Sequence, residues 1–349
     1  MNRLVDLLRN CPRLATLALE LGGDVDSLVV RYIPNLVPVP LPSLHFIWFE
    51  SMPTKTALAI LACIEPSLSA KIRLTNLRPV SDHTADSITP ASTTHPIMRP
   101  PQLDIIVQAD PELESKRAPI SFYIIARSLQ LERGAWFHIL TKPQREQGGY
   151  SSIRHVFRQL DAEGLTVLHI TISGAPAAAA KRFSRAVGTV LAHTPCVLEL
   201  VVRHTEARSS DVDLGPIFQA LTATLIPAQE SGSEAGSAGT VPVPHLHSLH
   251  IELPFATSVE PFIQGLEGIS GARAQIGHPI SSVSGRIWHE EVVLTERGCM
   301  ITTVEPVSCH PMRDIDCTQW LVKNEYWELY EQSDLPAVNQ RSMVPIQRS

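Results

Sequence analysis

A proline-led spacing of apolar residues recurs along this chain and constrains its fold more than any other feature. In four segments a proline is followed by apolar residues two, five and seven positions later; the prolines are Pro12, Pro42, Pro195 and Pro244. The last two apolar residues of each segment lie two apart, so their side chains project from one face of a strand. Proline favours extended backbone and cannot prolong a preceding helix. The spacing therefore predicts a series of short, equivalent strands.

Two further segments carry weaker versions of the same spacing. Residues 165–170 repeat the apolar positions after Gly164 instead of after a proline. The segment led by Pro101 places Leu103 and Ile106 in the first two apolar positions, but Gln108 occupies the third. Where no insertion intervenes, successive segments lie about 30 residues apart, which is the length of one supersecondary repeat.

Helical periodicity accompanies most of these strands. Apolar residues spaced three and four apart follow six candidate helix starts, which are Asp24, Thr54, Ser152, Pro176, Asp213 and Ser258. Short links between alternating helices and strands force neighbouring strands to be parallel. The sequence therefore predicts an α/β fold, namely an irregular leucine-rich-repeat-like solenoid with parallel strands in sequence order, a C-terminal hairpin and a capping helix. Gly265, Gly268 and Gly271 are predicted to form the C-terminal cap and exit of the last repeat helix.

The predicted solenoid spans residues 1–270 and contains three insertions. Residues 78–101 are rich in Ser, Thr and Pro, and residues 228–240 are low in complexity, so both are expected to be loops. Residues 119–141 are expected to form two strands that interrupt the repeat.

Beyond the solenoid, residues 271–333 are expected to form a hairpin that turns at Arg297-Gly298 and then a helix from Asp316 to Gln332. Residues 334–349 are expected to be a disordered tail. The helix contains four aromatic residues, Trp320, Tyr326, Trp327 and Tyr330. They are typical either of a cap over the apolar end of a solenoid or of a partner-binding helix, and the cap is the favoured interpretation.

The stretches LLRNCPRLATLAL (residues 7–19) and PHLHSLHIEL (residues 244–253) resemble divergent leucine-rich repeats. More narrowly, they resemble the repeat regions of fungal F-box proteins, over about residues 1–270. The repeats are irregular, because the asparagine that usually ends the repeat core is absent. The F-box motif is not present in this chain, which begins in a helix that leads to the first repeat. The resemblance implies a protein that binds other proteins and, with an F-box upstream, hands them through a Skp-family adaptor to a ubiquitin ligase.

The segment PHLHSLHI raises the alternative of a metal site, because His245, His247 and His250 are so close together. His245 and His247 would share one face of a strand and could chelate an ion. His247 and His250 are three apart and would point to opposite faces, so the three rings do not converge. All three fall outside the apolar repeat positions. They are therefore interpreted as solvent-facing side chains, and no metal is predicted.

Other chemistry-bearing groups give weaker signals. Cys299, Cys309, His310 and Cys317 cluster near the C-terminus but match no zinc module, so ordinary thiols are expected. The turn Ser173–Pro176 could hold an anion at a helix start. Packing of a tight turn is the favoured interpretation, because no phosphate-binding glycine motif occurs. Catalytic motifs are also absent from the sequence, so no catalytic residue and no cofactor is predicted.

Two functions from different classes remain. The first is a non-catalytic protein-interaction module that presents its sheet as a recognition surface. The residues predicted to be exposed there and to contact the partner are His45, Trp48, His169, Glu199, His247 and His250. The second is a doubly wound α/β enzyme, which alternating helices and strands alone permit. Strand order discriminates between them, because a doubly wound sheet reverses at a switch point whereas a solenoid keeps sequence order.

Composition restricts the partners and the compartment. The net charge of −6 gives no reason to expect nucleic acid, so the predicted partner is a protein of unknown identity. No stretch approaches eighteen apolar residues, and the N-terminus lacks the apolar core of a signal peptide. Six scattered cysteines do not form a disulfide framework. These features favour the cytoplasm or nucleus.

Overall fold

The computed structural model describes the chain in fifteen segments, and all of them belong to one compact unit, residues 1–307. The segments are residues 2–20, 37–67, 70–79, 102–109, 120–128, 133–141, 146–160, 162–172, 176–191, 193–204, 215–226, 241–253, 259–287, 290–295 and 298–303. The helices predicted after Asp24 and from Asp316, the loop 228–240 and the tail 334–349 lie outside these segments.

From Glu146 to Ile287 the described chain alternates between helices and strands, as the sequence predicts, whereas runs of consecutive strands stand before and after that part. The α-helices are α1 (Asn2–Arg9), α2 (Thr54–Leu61), α3 (Glu146–Gln159), α4 (Pro176–Leu191), α5 (Gly215–Leu225) and α6 (Val259–Gln275). The strands are β1 (Thr16–Glu20), β2 (Val39–Leu41), β3 (Phe46–Glu50), β4 (Ile64–Pro66), β5 (Lys71–Leu77), β6 (Gln102–Ala109), β7 (Ile120–Ser128), β8 (Arg133–Thr141), β9 (Val167–Ile172), β10 (Glu199–His204), β11 (Ser248–Glu252), β12 (Ser282–Ile287), β13 (Glu290–Thr295) and β14 (Gly298–Thr303).

Twelve of these strands form one open, mostly parallel sheet. Their spatial order is β1-β3-β5-β8-β7-β6-β9-β10-β11-β12-β13-β14. β2 and β4 pair separately as a small parallel sheet, which the repeat spacing did not predict. The large sheet is not a closed barrel, because β1 and β14 are its edges. The predicted α/β class is therefore confirmed.

The register of the parallel strands confirms the equivalence of the repeat positions. Leu17 of β1 is paired with Ile47 of β3, although thirty residues separate them. Leu168, Leu200 and Leu249 are likewise aligned across β9, β10 and β11. All five side chains are buried. The proline-led spacing thus marks the same position in successive strands, and it does so because alternate residues of a strand face the same side.

The alignment of the segment led by Pro101 is wrong by one repeat position. Leu103 and Ile105 of β6 pair with Leu168 and Ile170 of β9, so Leu103 occupies the second apolar position and not the first. Spacing alone selected Ile106, but the two-residue period of the strand selects Ile105 as its buried neighbour.

The strands do not keep sequence order throughout, which corrects the predicted order, although the two strands predicted in residues 119–141 are present. β7 and β8 are the predicted pair, but together with β6 they form an antiparallel meander that runs backwards through the sheet. β6 pairs in parallel with β9, and β8 pairs in parallel with β5. Three antiparallel strands return the chain to its original direction, so the inserted meander joins two parallel blocks. The long connection between β5 and β6 gives the chain enough length to pass over two strand positions.

Helix starts agree with the sequence at α2, α4 and α6 but not at α3. α3 begins at Glu146, so the predicted cap, Ser152, lies inside the helix and is fully buried. The additional turn packs on the sheet, where the ring of Tyr150 meets that of Phe122 edge-on with centroids 5.1 Å apart. Tertiary packing therefore extends this helix beyond its local start signal.

The three glycines predicted to end α6 lie inside it instead. The helix continues to Gln275, and Gly277, with a φ of +79°, follows its end. Gly265 is required for packing, since a Cβ there would lie 2.5 Å from ring atoms of Phe218. The predicted domain boundary at residue 270 also falls within α6.

The predicted C-terminal hairpin is present as β13 and β14. Thr295 pairs with Gly298, so the connection is one residue earlier than the predicted Arg297-Gly298 turn. β12 precedes the hairpin and pairs in parallel with β11, which adds a repeat-like strand that the proline-led spacing missed. It was missed because no proline stands two residues before Ile280 and because glycine, Gly285, occupies the last apolar position.

One apolar core joins the large sheet to the described helices. Alternate residues of the strands, such as Leu168, Leu200 and Leu249, share this core with residues from every one of α1–α6. In contrast, Phe46, Trp48 and Tyr123 are buried but lie outside that cluster, on the opposite side of their strands. The sheet therefore has a helix-facing side and an opposite side.

Candidate protein-binding surface

The opposite side of β9–β12 carries a regular array of mostly polar side chains. Three rows cross the four strands, and we call these twelve residues the open face. In strand order the rows are Val167, Glu199, Ser248 and Ser282; His169, Val201, His250 and Ser284; and Thr171, Arg203, Glu252 and Arg286. All twelve side chains are at least partly exposed. The array exists because the alternating strand residues that do not enter the core are brought into register by parallel pairing.

A charged network crosses the open face between β10 and β12. The Nε–H group of Arg203 donates a hydrogen bond to the Oε2 atom of Glu252. The Oε1 atom of Glu252 lies 3.4 Å from Nε2 of His250, whose Nδ1 is 2.8 Å from the hydroxyl oxygen of Ser284. The network fixes the orientation of side chains from three strands, and Arg203 remains about half exposed to solvent.

The pKa of Glu252 reflects this network. Burial alone would raise the pKa of the carboxyl group, but hydrogen bonds from His250 and Arg203 and their charges outweigh burial and lower it to about 2. Glu252 is therefore ionised at neutral pH. Its negative charge is held between the Arg203 guanidinium and the His250 ring, so the open face presents this carboxylate in a fixed position.

The same side of the sheet has a different character at β3 and β5. Trp48 is only 5% exposed, so its predicted exposure is wrong. Its indole Nε1–H donates to the hydroxyl oxygen of Thr75 at 3.1 Å, and the guanidinium of Arg73 lies 5.3 Å from its ring centroid. Burial lowers the pKa of Arg73, and the charge of Glu50 opposes that shift. Trp48 therefore stabilises the fold through neighbouring strands and does not present its ring to a partner.

Tyr123 and His138 continue this buried region on β7 and β8. Their rings are stacked with centroids 4.5 Å apart and an interplanar angle of 6°. His138 Nε2 also lies 3.3 Å from the hydroxyl oxygen of Ser121. Burial, together with the positive charge of Arg73, lowers the pKa of His138 to about 4. The ring is therefore neutral at physiological pH.

The structure brings only some of the predicted binding residues together. His169, Glu199 and His250 belong to the open face, and His247 is exposed immediately before β11. His45 is exposed just before β3, far from the others. β3 and β9 are five strand positions apart, which corresponds to about 24 Å. The six residues thus do not form one patch.

Sequence analysis missed the charged row of Arg203, Glu252 and Arg286. Two of these residues directly follow the last apolar position of a repeat, at Val202 and Ile251. Extending the repeat alignment by one residue would have placed Arg203 beside Glu252. The third position belongs to β12, which the spacing did not detect.

The described part of the chain contains no group of three His, Cys, Asp or Glu side chains that could hold a metal ion. His245 and His247 are exposed in the segment that precedes β11, so they do not share a strand face as the sequence suggested. Cys11, Cys63, Cys196 and Cys299 are free thiols. Cys309, His310, Cys317 and the turn at residues 173–175 lie outside the described segments.

Among the described helices, none combines the length and hydropathy that crossing a bilayer requires. No protein-family model matches the chain, and comparisons with curated proteins and with solved structures give no match either.

Proposed function

We propose that this chain is a non-catalytic protein-interaction module with an irregular, leucine-rich-repeat-like solenoid architecture, and that the open face binds its partner. The observation that carries the proposal is the three-row array on β9–β12. It is accessible on the side of the sheet away from the helical core. Strand register spaces its residues regularly, and the network around Glu252 fixes the side chains that belong to it.

Strand order supports the solenoid over the doubly wound alternative. β1, β3 and β5 advance in one direction along the sheet, and β9, β10, β11 and β12 continue in that direction. The only reversal within the described sheet is the antiparallel meander of β6–β8, which returns to the same direction of progress. In a doubly wound sheet, the two parallel blocks would instead extend outward from a central switch point.

The chemistry of the open face suits a folded protein partner. Exposed groups of both signs, Glu199 and Arg203, lie beside hydroxyl and imidazole groups that can donate or accept hydrogen bonds. The array spans about 14 Å across the strands and about 13 Å along them. An array of this size would form the centre of a standard interface, which buries about 800 Å² on each partner. Neighbouring exposed residues such as His247 would extend the contact.

The resemblance to fungal F-box repeat regions supports a narrower proposal. In it, the bound protein is a substrate of a ubiquitin ligase in the cytoplasm or nucleus. A Skp-family adaptor would then associate with a chain that also carries an F-box. The open face would select the substrate, and catalysis would be left to other subunits.

Affinity capture with matched charge reversals tests the proposal. Glu199→Arg changes the open face, whereas Glu267→Arg makes the same charge change on an exposed position of α6. The tagged full-length chain and both variants are expressed in the source organism, and captured proteins are quantified by mass spectrometry. We expect at least one protein to be reduced roughly fivefold or more with Glu199→Arg, as loss of about 1 kcal/mol implies, and to be retained with Glu267→Arg.

Equal capture by both variants would contradict the role of the open face. Recovery of a Skp-family adaptor and a cullin with the wild-type chain would support the ligase proposal. Stable partners without either of these would favour a bare scaffold.

A further inference from the structure

The edge strand β14 has the features of a surface for strand addition. All six of its residues are exposed, and Met300 and Ile301 are 51% and 49% exposed despite their apolar side chains. Among the described strands, β14 pairs only with β13. Such an edge presents a row of backbone donors and acceptors that can template another strand.

The register identifies which backbone groups face outward. Thr295 and Gly298 close the β13–β14 hairpin, so they form a hydrogen-bonded pair. The hydroxyl of Thr295 donates a hydrogen bond to the carbonyl oxygen of Gly298 at 2.9 Å, which is consistent with a Gly298 carbonyl group that points towards β13. Because such pairs alternate along an antiparallel ladder, Cys299, Ile301 and Thr303 direct their N–H and C=O groups away from β13.

We propose that β14 pairs with β14 of a second copy of this chain in an antiparallel arrangement, with Ile301 on the two-fold axis. In this register Ile301 faces the partner's Ile301, and Cys299 faces the partner's Thr303. Met300 faces the partner's Thr302 on the other side of the ribbon. Every outward N–H and C=O group of Cys299, Ile301 and Thr303 then finds its complement, so the edge is self-complementary.

Charge favours a second copy as the occupant. β14 contains no ionisable carboxylate or cation, so antiparallel self-pairing places no like charges opposite each other. It also lacks the lysine or proline that protects many edge strands. The other edge, β1, ends at Glu20 and would bring carboxylates into an edge-to-edge contact.

The helical layer leaves room for this contact. On the helix-facing side, Val292 of β13 belongs to the core that includes α6, whereas its neighbour Ile301 in β14 is half exposed. Among the described residues, the sheet therefore extends one strand beyond its apolar cover. Pairing across the axis would bring two Ile301 side chains into contact and remove both from solvent.

Two substitutions at Ile301 test the pairing. Ile301→Pro removes an outward N–H group but none that bonds to β13, and Ile301→Lys places two positive charges opposite each other. Ser281→Lys is the matched control, because it adds the same charge at an exposed position that precedes β12 and belongs neither to β14 nor to the open face. Sedimentation velocity across a concentration series is expected to show a monomer–dimer equilibrium for the wild-type chain. The dimer dissociation constant should rise roughly tenfold or more in both Ile301 variants and stay within twofold in the control.

A cysteine pair tests the register. Thr303→Cys would face the partner's Cys299 and form an intermolecular disulfide on mild oxidation, which mass spectrometry of the linked peptides identifies. Thr302→Cys lies one residue away on the other face and should not crosslink to Cys299. The proposal would be overturned by any of three results: the wild-type chain stays monomeric, it forms assemblies larger than a dimer, or its dimer tolerates both Ile301 substitutions. Far-UV circular dichroism confirms that the Ile301 variants retain the fold.

Discussion

Arg273 is a position at which a single substitution should have a large effect on stability. Its side chain is fully buried near the end of α6. Nη1 donates to the carbonyl oxygens of Leu225 and Pro242 at 3.1 and 3.0 Å, and Nη2 donates to that of Val243 at 3.0 Å. One guanidinium therefore ties the C-terminal end of α5 to the segment that leads into β11. Burial lowers the pKa of Arg273, but an arginine remains protonated at neutral pH.

The size of the effect follows from these three bonds. A hydrogen bond to a charged group contributes about 1.5–3 kcal/mol, but bonds that share one guanidinium are not additive. Removing the guanidinium also takes a donor away from the carbonyl oxygens of Leu225 and Pro242, whereas that of Val243 still accepts from the N–H of Leu246 at 3.1 Å. We therefore expect Arg273→Met, which fills a similar volume without donors, to lower the free energy of unfolding by about 3–5 kcal/mol. This is a large fraction of the roughly 5–15 kcal/mol that stabilises a typical folded unit.

Urea denaturation followed by tryptophan fluorescence and far-UV circular dichroism measures this change. Arg273→Lys is the informative comparison, since it retains a positive charge but cannot reach three carbonyls with a planar fork. It should lose an intermediate amount of stability. A loss of less than about 1 kcal/mol in Arg273→Met would refute the reasoning, because it would mean that the three hydrogen bonds from Arg273 contribute little to stability.

The remaining predictions concern packing in α6 and a buried imidazole. Gly265→Ala places a Cβ 2.5 Å from the ring of Phe218 and should lower the free energy of unfolding by about 1–3 kcal/mol. At Gly268 nothing lies within 4 Å of a Cβ, so Gly268→Ala should stabilise the helix by about 0.5–1 kcal/mol. Thermal denaturation of the pair measures both, and equal effects would contradict the assigned contact with Phe218. For His138, the pKa falls from 6.5 to about 4 on folding, so the unfolded chain binds a proton in this range that the folded chain does not. The free energy of unfolding is therefore unaffected by this group above pH 6.5 and decreases as the pH falls from 6.5 towards 4. His138→Phe, which keeps a ring against Tyr123, should make the free energy of unfolding depend less steeply on pH in that window. If the free energy of unfolding of His138→Phe changed with pH between 4 and 6.5 as steeply as that of the wild-type chain, His138 would not be the source of the pH dependence.

Local patterns were sufficient for the positions of β1, β3, β9, β10 and β11. The alignment of Leu17 with Ile47 and of Leu168 with Leu200 and Leu249 followed from a spacing of a few residues. Such spacing is informative because a strand has a fixed two-residue period and because proline restricts the backbone before it. The starts of α2, α4 and α6 were local in the same sense.

Contacts between distant segments determined what the sequence could not. The reversed order of β6–β8 depends on the pairing of β8 with β5 and of β6 with β9. The burial of Trp48 depends on Thr75 and Arg73 in the next strand. Gly265 was predicted to end the helix, but it lies inside α6, where only the absence of a side chain leaves room for the ring of Phe218. In each case the deciding partner is far away in the chain, so no local period contains it.

The candidate surface shows the same division. Alternation along single strands was enough to select His169, Glu199 and His250 as residues that leave the core. The pairing of Arg203 with Glu252, forty-nine residues further along, exists only because β10 and β11 are neighbours in register. The sequence by itself determined which side chains leave the core, because that depends on the two-residue period of each strand. The tertiary structure alone decided which of them meet, because that depends on strand order and register across the sheet.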